Sequence, residues 1–135
     1  MKKLSLYGLA ILFILATMPN CKKGGGGGGC SETALAVSTT PANNSTEPPA
    51  PGPDFPLQIN ITAGLPAAGV TIEIKAHPES STTNFFTSNT SSTNSSNTFN
   101  ITGTPTATSA KVDITITSKS CASNKWTGSY RYSRK

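Results

Sequence analysis

Phe55, Leu57, Ile59 and Ile61 alternate with Pro56, Gln58, Asn60 and Thr62, a period of two that predicts a half-buried strand. After "TAGLPAAG", whose Gly and Pro predict a turn, Val70, Ile72 and Ile74 alternate in the same way with Thr71, Glu73 and Lys75. The pattern recurs briefly at Phe99 and Ile101, and clearly at Val112, Ile114 and Ile116 around Asp113 and Thr115. Trp126, Gly128, Tyr130 and Tyr132 share one side of a closing strand, with Thr127, Ser129, Arg131 and Ser133 on the other. No helical 3.6-residue period of useful length follows residue 30.

Five or six short strands with turn residues between them predict an all-β fold, a small antiparallel β-sandwich of immunoglobulin-like or transthyretin-like architecture. The likeness is architectural, since no Cys–Trp–Cys pattern stands at immunoglobulin spacing. The alternating apolar residues, together with Phe55 and Trp126, make a thin core for about 80 residues, a size at which burial alone is marginal. A cross-link would help. Cys30 and Cys121 are candidates for an intramolecular disulfide that would close a loop of about 90 residues; alternatively, Cys30 stays free or pairs between molecules.

Ahead of the domain the pattern is different. Residues 24–29 are six consecutive glycines, and six prolines lie from Pro41 to Pro56. Such composition reads as a flexible spacer followed by a stiffer extended one. Thr33, Leu35 and Val37 alternate between them and give a short edge-strand signal. The glycine run satisfies G-x-G-x-x-G trivially, but no strand precedes it and no helix follows, so a dinucleotide site is excluded. Residues 80–98 are Ser, Thr or Asn throughout, except Phe85 and Phe86. They read as a long solvated loop, broken at most by a short strand at the two phenylalanines, whose hydroxyls are also candidates for sugar contact.

The amino-terminal end carries an address. Lys2 and Lys3 precede "LSLYGLAILFILATM", a largely apolar run of 15 residues that fits a secretory leader and is too short for a membrane-spanning helix. "LATMPNC" follows, ending at Cys21. This segment resembles the lipobox of bacterial lipoproteins. Met18 takes the aliphatic position, while Pro19 and Asn20 stand where the family carries small residues. The resemblance implies that residues 1–20 are removed and that Cys21 becomes an acylated first residue, with palmitate-type chains holding the protein to membrane lipid. Lys22 after the cysteine points to the outer membrane by the sorting habit of enteric bacteria. The expected organisation is thus a signal peptide over 1–20, a lipid-anchored tether over 21–54 and a β-sandwich over 55–135.

Charge and candidate chemistry narrow the function. Only 13% of residues are charged and the formal net charge is +5; without Lys2 and Lys3 the excess of basic side chains is smaller still, too small and too scattered for a nucleic-acid footprint. His77, the only histidine, lies in "HPE", but no P-C-x-x-C partner exists for a zinc deaminase site, so neither metal nor catalytic residue is expected there. G-x-S-x-G and C-x-x-C are absent. No cofactor is implied. Trp126, Tyr130 and Tyr132, with Arg131 nearby, are the best candidates for ligand contact, against the plainer reading that they complete the core. Lys125, Arg131, Arg134 and Lys135 form a basic end. The expected function is therefore a non-enzymatic, lipid-anchored envelope module for interaction or structure. The alternative is a carbohydrate- or peptidoglycan-binding module using the aromatic strand and residues 80–98.

Overall fold

The structure, a computed structural model, describes residues 30–135. The leader, Cys21 and the glycine run lie outside the described residues. Seven strands follow in order: β1 (Ala36–Thr40), β2 (Phe55–Ala63), β3 (Val70–Pro78), β4 (Phe86–Ser92), β5 (Ser96–Ile101), β6 (Thr108–Ser118) and β7 (Lys125–Arg134). They form two antiparallel sheets, β1-β2-β5 and β4-β3-β6-β7. This order differs from the constant-type immunoglobulin sandwich in that β4 pairs with β3 rather than β5. Of the two architectures expected, the immunoglobulin-like one is present.

The alternation seen in the sequence becomes the inside and outside of each sheet. Leu57, Ile59 and Ile61 of β2 face Val70, Ile72 and Ile74 of β3 and Val112, Ile114 and Ile116 of β6 across a buried core. Registers keep like with like: Ile72 pairs with Ile116 and Ile74 with Ile114, so one face of the sheet is uniformly apolar. The outward faces differ in kind. The four ion pairs among the described residues, Lys75–Glu73, His77–Asp113, Lys111–Asp113 and Arg131–Glu79, lie on the outside of the four-stranded sheet or just beyond its end. The outside of the three-stranded sheet carries Ser38, Gln58, Asn60, Ser96, Thr98 and Asn100, all polar and uncharged.

Two expectations are corrected. The sandwich includes chain well before Phe55, so the described part of the expected tether, from Cys30 on, belongs to the folded unit. Leu35 and Ala50 are buried in the core, and β1 pairs with β2 from Thr40↔Gln58 to Ala36↔Ala63. After Pro41 the chain leaves this sheet and runs parallel beside β7. Asn44, Glu47 and Ala50 donate backbone hydrogen bonds to the carbonyls of Ser129, Arg131 and Ser133 at 2.7–2.8 Å. Pro48 and Pro49 have no N–H to donate, and they fall between the donating residues. A proline-rich segment therefore covers the edge of β7 and blocks further strand addition there.

The second correction concerns residues 80–98, which are not one long loop. They contain β4 and the start of β5. Two neighbouring strands already offer backbone partners, and Thr is a good strand residue. The intervening turn is closed by its own side chains. Ser92 Oγ donates to Asn97 Oδ1 (2.6 Å), Asn97 Nδ2 donates to the Asn94 carbonyl (2.9 Å), and the Asn94 N–H donates to Ser92 Oγ (3.0 Å). Ser and Asn here replace the turn chemistry that Gly would supply.

Candidate functional site

The strands run so that two ends of the sandwich gather different loops. At one end lie Cys30, the β2–β3 loop, the β4–β5 turn and the β6–β7 turn; at the other lie residues 41–54, the β5–β6 loop and Lys135.

The first end is a clamp. Cys30 and Cys121 form a disulfide across 91 residues, with Cα atoms 5.8 Å apart, inside the ordinary range. Asn124, in the β6–β7 turn, holds the incoming chain at three points. Its Oδ1 accepts from the Leu35 N–H (3.0 Å), and its Nδ2 donates to the Thr33 carbonyl (3.0 Å) and to Glu32 Oε2 (3.0 Å). Ser120 Oγ donates to the other Glu32 oxygen. These hydrogen bonds, Ser120 first, lower the Glu32 carboxyl below its ordinary range. Gly64 closes against the same segment: its φ is +75°, and a Cβ there would run into the Ala34 and Thr33 carbonyl oxygens.

The aromatic strand divides. Tyr130 and Tyr132 are buried at 0% and 2% exposure, so their rings are core and have no face for a ligand. Trp126 is half-buried and packs on the core, its ring lying over Gly128. Arg131 points to the opposite face, where Nε meets Glu79 Oε1 at 2.5 Å. The four residues expected to act together are therefore separated by the sheet, as strand alternation requires. The basic end is likewise dispersed: Lys125 begins β7, while Arg134 ends it and donates from Nη1 to the Thr104 carbonyl.

His77 lies on the outside of β3, with Nδ1 2.8 Å from the Pro78 carbonyl and Nε2 3.2 Å from Asp113 Oδ2. The bond to Pro78, supported by Asp113, raises its pKa above the ordinary imidazole value despite partial burial. Lys111 Nζ takes the other Asp113 oxygen at 2.8 Å. This is a cross-strand charge ladder. Among the described residues no group of three or more His, Cys, Asp and Glu is placed to hold a metal ion.

The second end holds a feature that the sequence reading missed. Because β1 stops at Thr40, opposite Gln58, the preceding residues of β2 have no neighbour on that side. Pro56, which could not donate to one, occupies this stretch. The gap opens into a pocket of about 420 Å³ lined by Pro41, Phe55, Pro56, Leu57 and Phe99, with Glu47 entering from the segment beside β7. Thr40, Gln58 and Thr98 add polar groups. Phe55 is fixed by stacking on Tyr132, with ring centroids 4.2 Å apart and planes 20° apart. The sequence signal was present but divided: the phenylalanines read as core and the prolines as tether.

The fold and these two ends define a disulfide-clamped β-sandwich of immunoglobulin-like connectivity, with an apolar pocket at the end away from the clamp. In comparisons with known proteins, no family model, no curated protein and no solved structure matches the chain.

Proposed function

We propose that the protein is a lipid-anchored bacterial envelope module, not an enzyme, held to the outer membrane through acylated Cys21 and offering its opposite end to a partner. The observation that supports this reading is the polarity of the domain. The incoming chain is locked by the Cys30–Cys121 bond and by Asn124 at one end, while the Phe55–Phe99–Glu47 pocket opens toward the other. The 11 residues of β6 run from the pocket end to the clamped end, roughly 35 Å at the usual strand rise. A domain held at the clamp faces outward with its pocket. An exported compartment also suits a disulfide.

Intact-mass and lipid-labelling analysis of the mature chain, wild type beside Cys21→Ser, tests the anchor. Acyl mass on the wild type that vanishes in the variant is expected. A mature chain without lipid would leave the protein soluble or held by its leader, and the reading would fall.

A further inference from the structure

We infer that the pocket at the outward end is a binding site for an alkylammonium group, a compact organic cation with apolar substituents. This rests on the reading above that this end is the contact end, and it names the chemistry of the contact.

The pocket's volume, about 420 Å³, lies in the range of small-molecule sites, ~300–1,000 Å³. Its walls are largely aliphatic and aromatic, and Glu47 is the one ionisable residue lining it. Glu73, Glu79 and Asp113 each have a cationic partner within 4 Å on the charged sheet face; Glu47 has none among the described residues. Its carboxylate accepts from Ser45 Oγ at 2.5 Å, which fixes its direction without neutralising it. A half-buried carboxylate in an apolar hollow lacks its countercharge.

The walls select which countercharge fits. A metal ion needs several oxygen ligands, and no second acidic side chain lines the pocket. An anion would meet only negative charge. A neutral apolar ligand would strip water from Glu47 and return nothing for it. An alkylammonium cation is weakly hydrated, fills the apolar volume with its substituents, faces aromatic rings favourably and completes the ion pair. The receiving surface is already set. Tyr132 covers one face of Phe55 and is itself held by Thr104, so Phe55 has no ordering left to do on binding.

The test is a titration of the full-length chain in maltoside micelles, which carry no ammonium group, followed by amide chemical shifts. The probes are choline and 3,3-dimethylbutan-1-ol, which has the same shape without the charge. Choline is expected to shift amides of Phe55 and Phe99 and to bind about tenfold more tightly than the neutral alcohol. Glu47→Gln should remove that preference without weakening the binding of the alcohol, with shifts away from the pocket showing the fold intact. Phosphocholine and trimethyl-lysine, run alongside, distinguish a lipid headgroup or a modified protein from a free cation as the source. Equal affinity for choline and the alcohol, or a Glu47→Gln variant that keeps the preference, overturns the proposal. So does the absence of any pocket shift with choline. None of these results depends on whether Cys21 is acylated, so the anchor and the pocket fail separately.

Discussion

Tyr130 and Tyr132 stand two residues apart on β7, with ring centroids 6.2 Å apart, yet their hydroxyls have opposite circumstances. Tyr132 OH and Thr104 Oγ1 share a buried hydrogen bond of 2.5 Å. Tyr130 OH is buried with no partner among the described residues. Burial raises both phenols above their ordinary pKa, and the Thr104 bond opposes the rise at Tyr132.

Removing each hydroxyl should therefore give different results. Tyr132→Phe leaves Thr104 unsatisfied in the core and is expected to cost about 1–2 kcal/mol. Tyr130→Phe removes a desolvated group that makes no bond, so it is expected to be neutral or stabilising. Urea denaturation of the two variants decides, and equal losses would contradict the arrangement.

The clamp predicts coupled effects. Replacing Cys30 and Cys121 together by Ser is expected to cost about 2–5 kcal/mol, through release of a long loop in the unfolded chain. Asn124→Ala, which gives up three hydrogen bonds to the incoming segment, should cost about 2–3 kcal/mol in the oxidised protein. In the Ser background its cost should be smaller by about 1 kcal/mol, because the bonds to Glu32 and Thr33 are already loosened. Strict additivity across the double-mutant cycle would mean that the two fastenings act independently.

Gly128 supplies space rather than a turn. It pairs with Ile114 in the middle of a strand, and a Cβ there would strike the Trp126 ring. Gly128→Ala should destabilise by about 1–3 kcal/mol and shift the emission of Trp126, the single tryptophan. Unchanged emission would show that the ring does not rest on Gly128.

His77 gives the pH dependence. Its folded pKa is raised by the Pro78 and Asp113 contacts. The stabilisation is present in full below the unfolded value, about 6.5, and is lost as pH rises through the folded value. Wild type should thus gain on His77→Gln at pH 5 relative to pH 8, and Asp113→Asn should lower the His77 titration midpoint seen by NMR. A His77→Gln variant with the same pH profile as wild type would remove His77 from the account.

The sandwich was legible because its core strands alternate cleanly. Leu57, Ile59, Val70, Ile72, Ile74, Val112, Ile114 and Ile116 needed only a period of two to be placed. The Ser/Thr/Asn strand β4 was not legible, because it lies at a sheet edge and draws its order from β3 rather than from apolar burial of its own. The segment beside β7 was hidden for a related reason. Prolines that discourage ordinary strands are compatible with a parallel edge in which only some residues donate. The pocket depends on where β1 ends, and that is a property of pairing, not of any local run of residues.

The disulfide at Cys30 also sets a length. Only eight residues separate Cys21 from Cys30, and nine peptide units reach no further than about 32 Å when fully drawn out. Counting the leash to Phe55 instead would have given the domain nearly four times that contour. If Cys21 is the anchor, as proposed, that length would confine the sandwich to a shallow layer above the lipid, and any partner would have to approach the membrane to meet it.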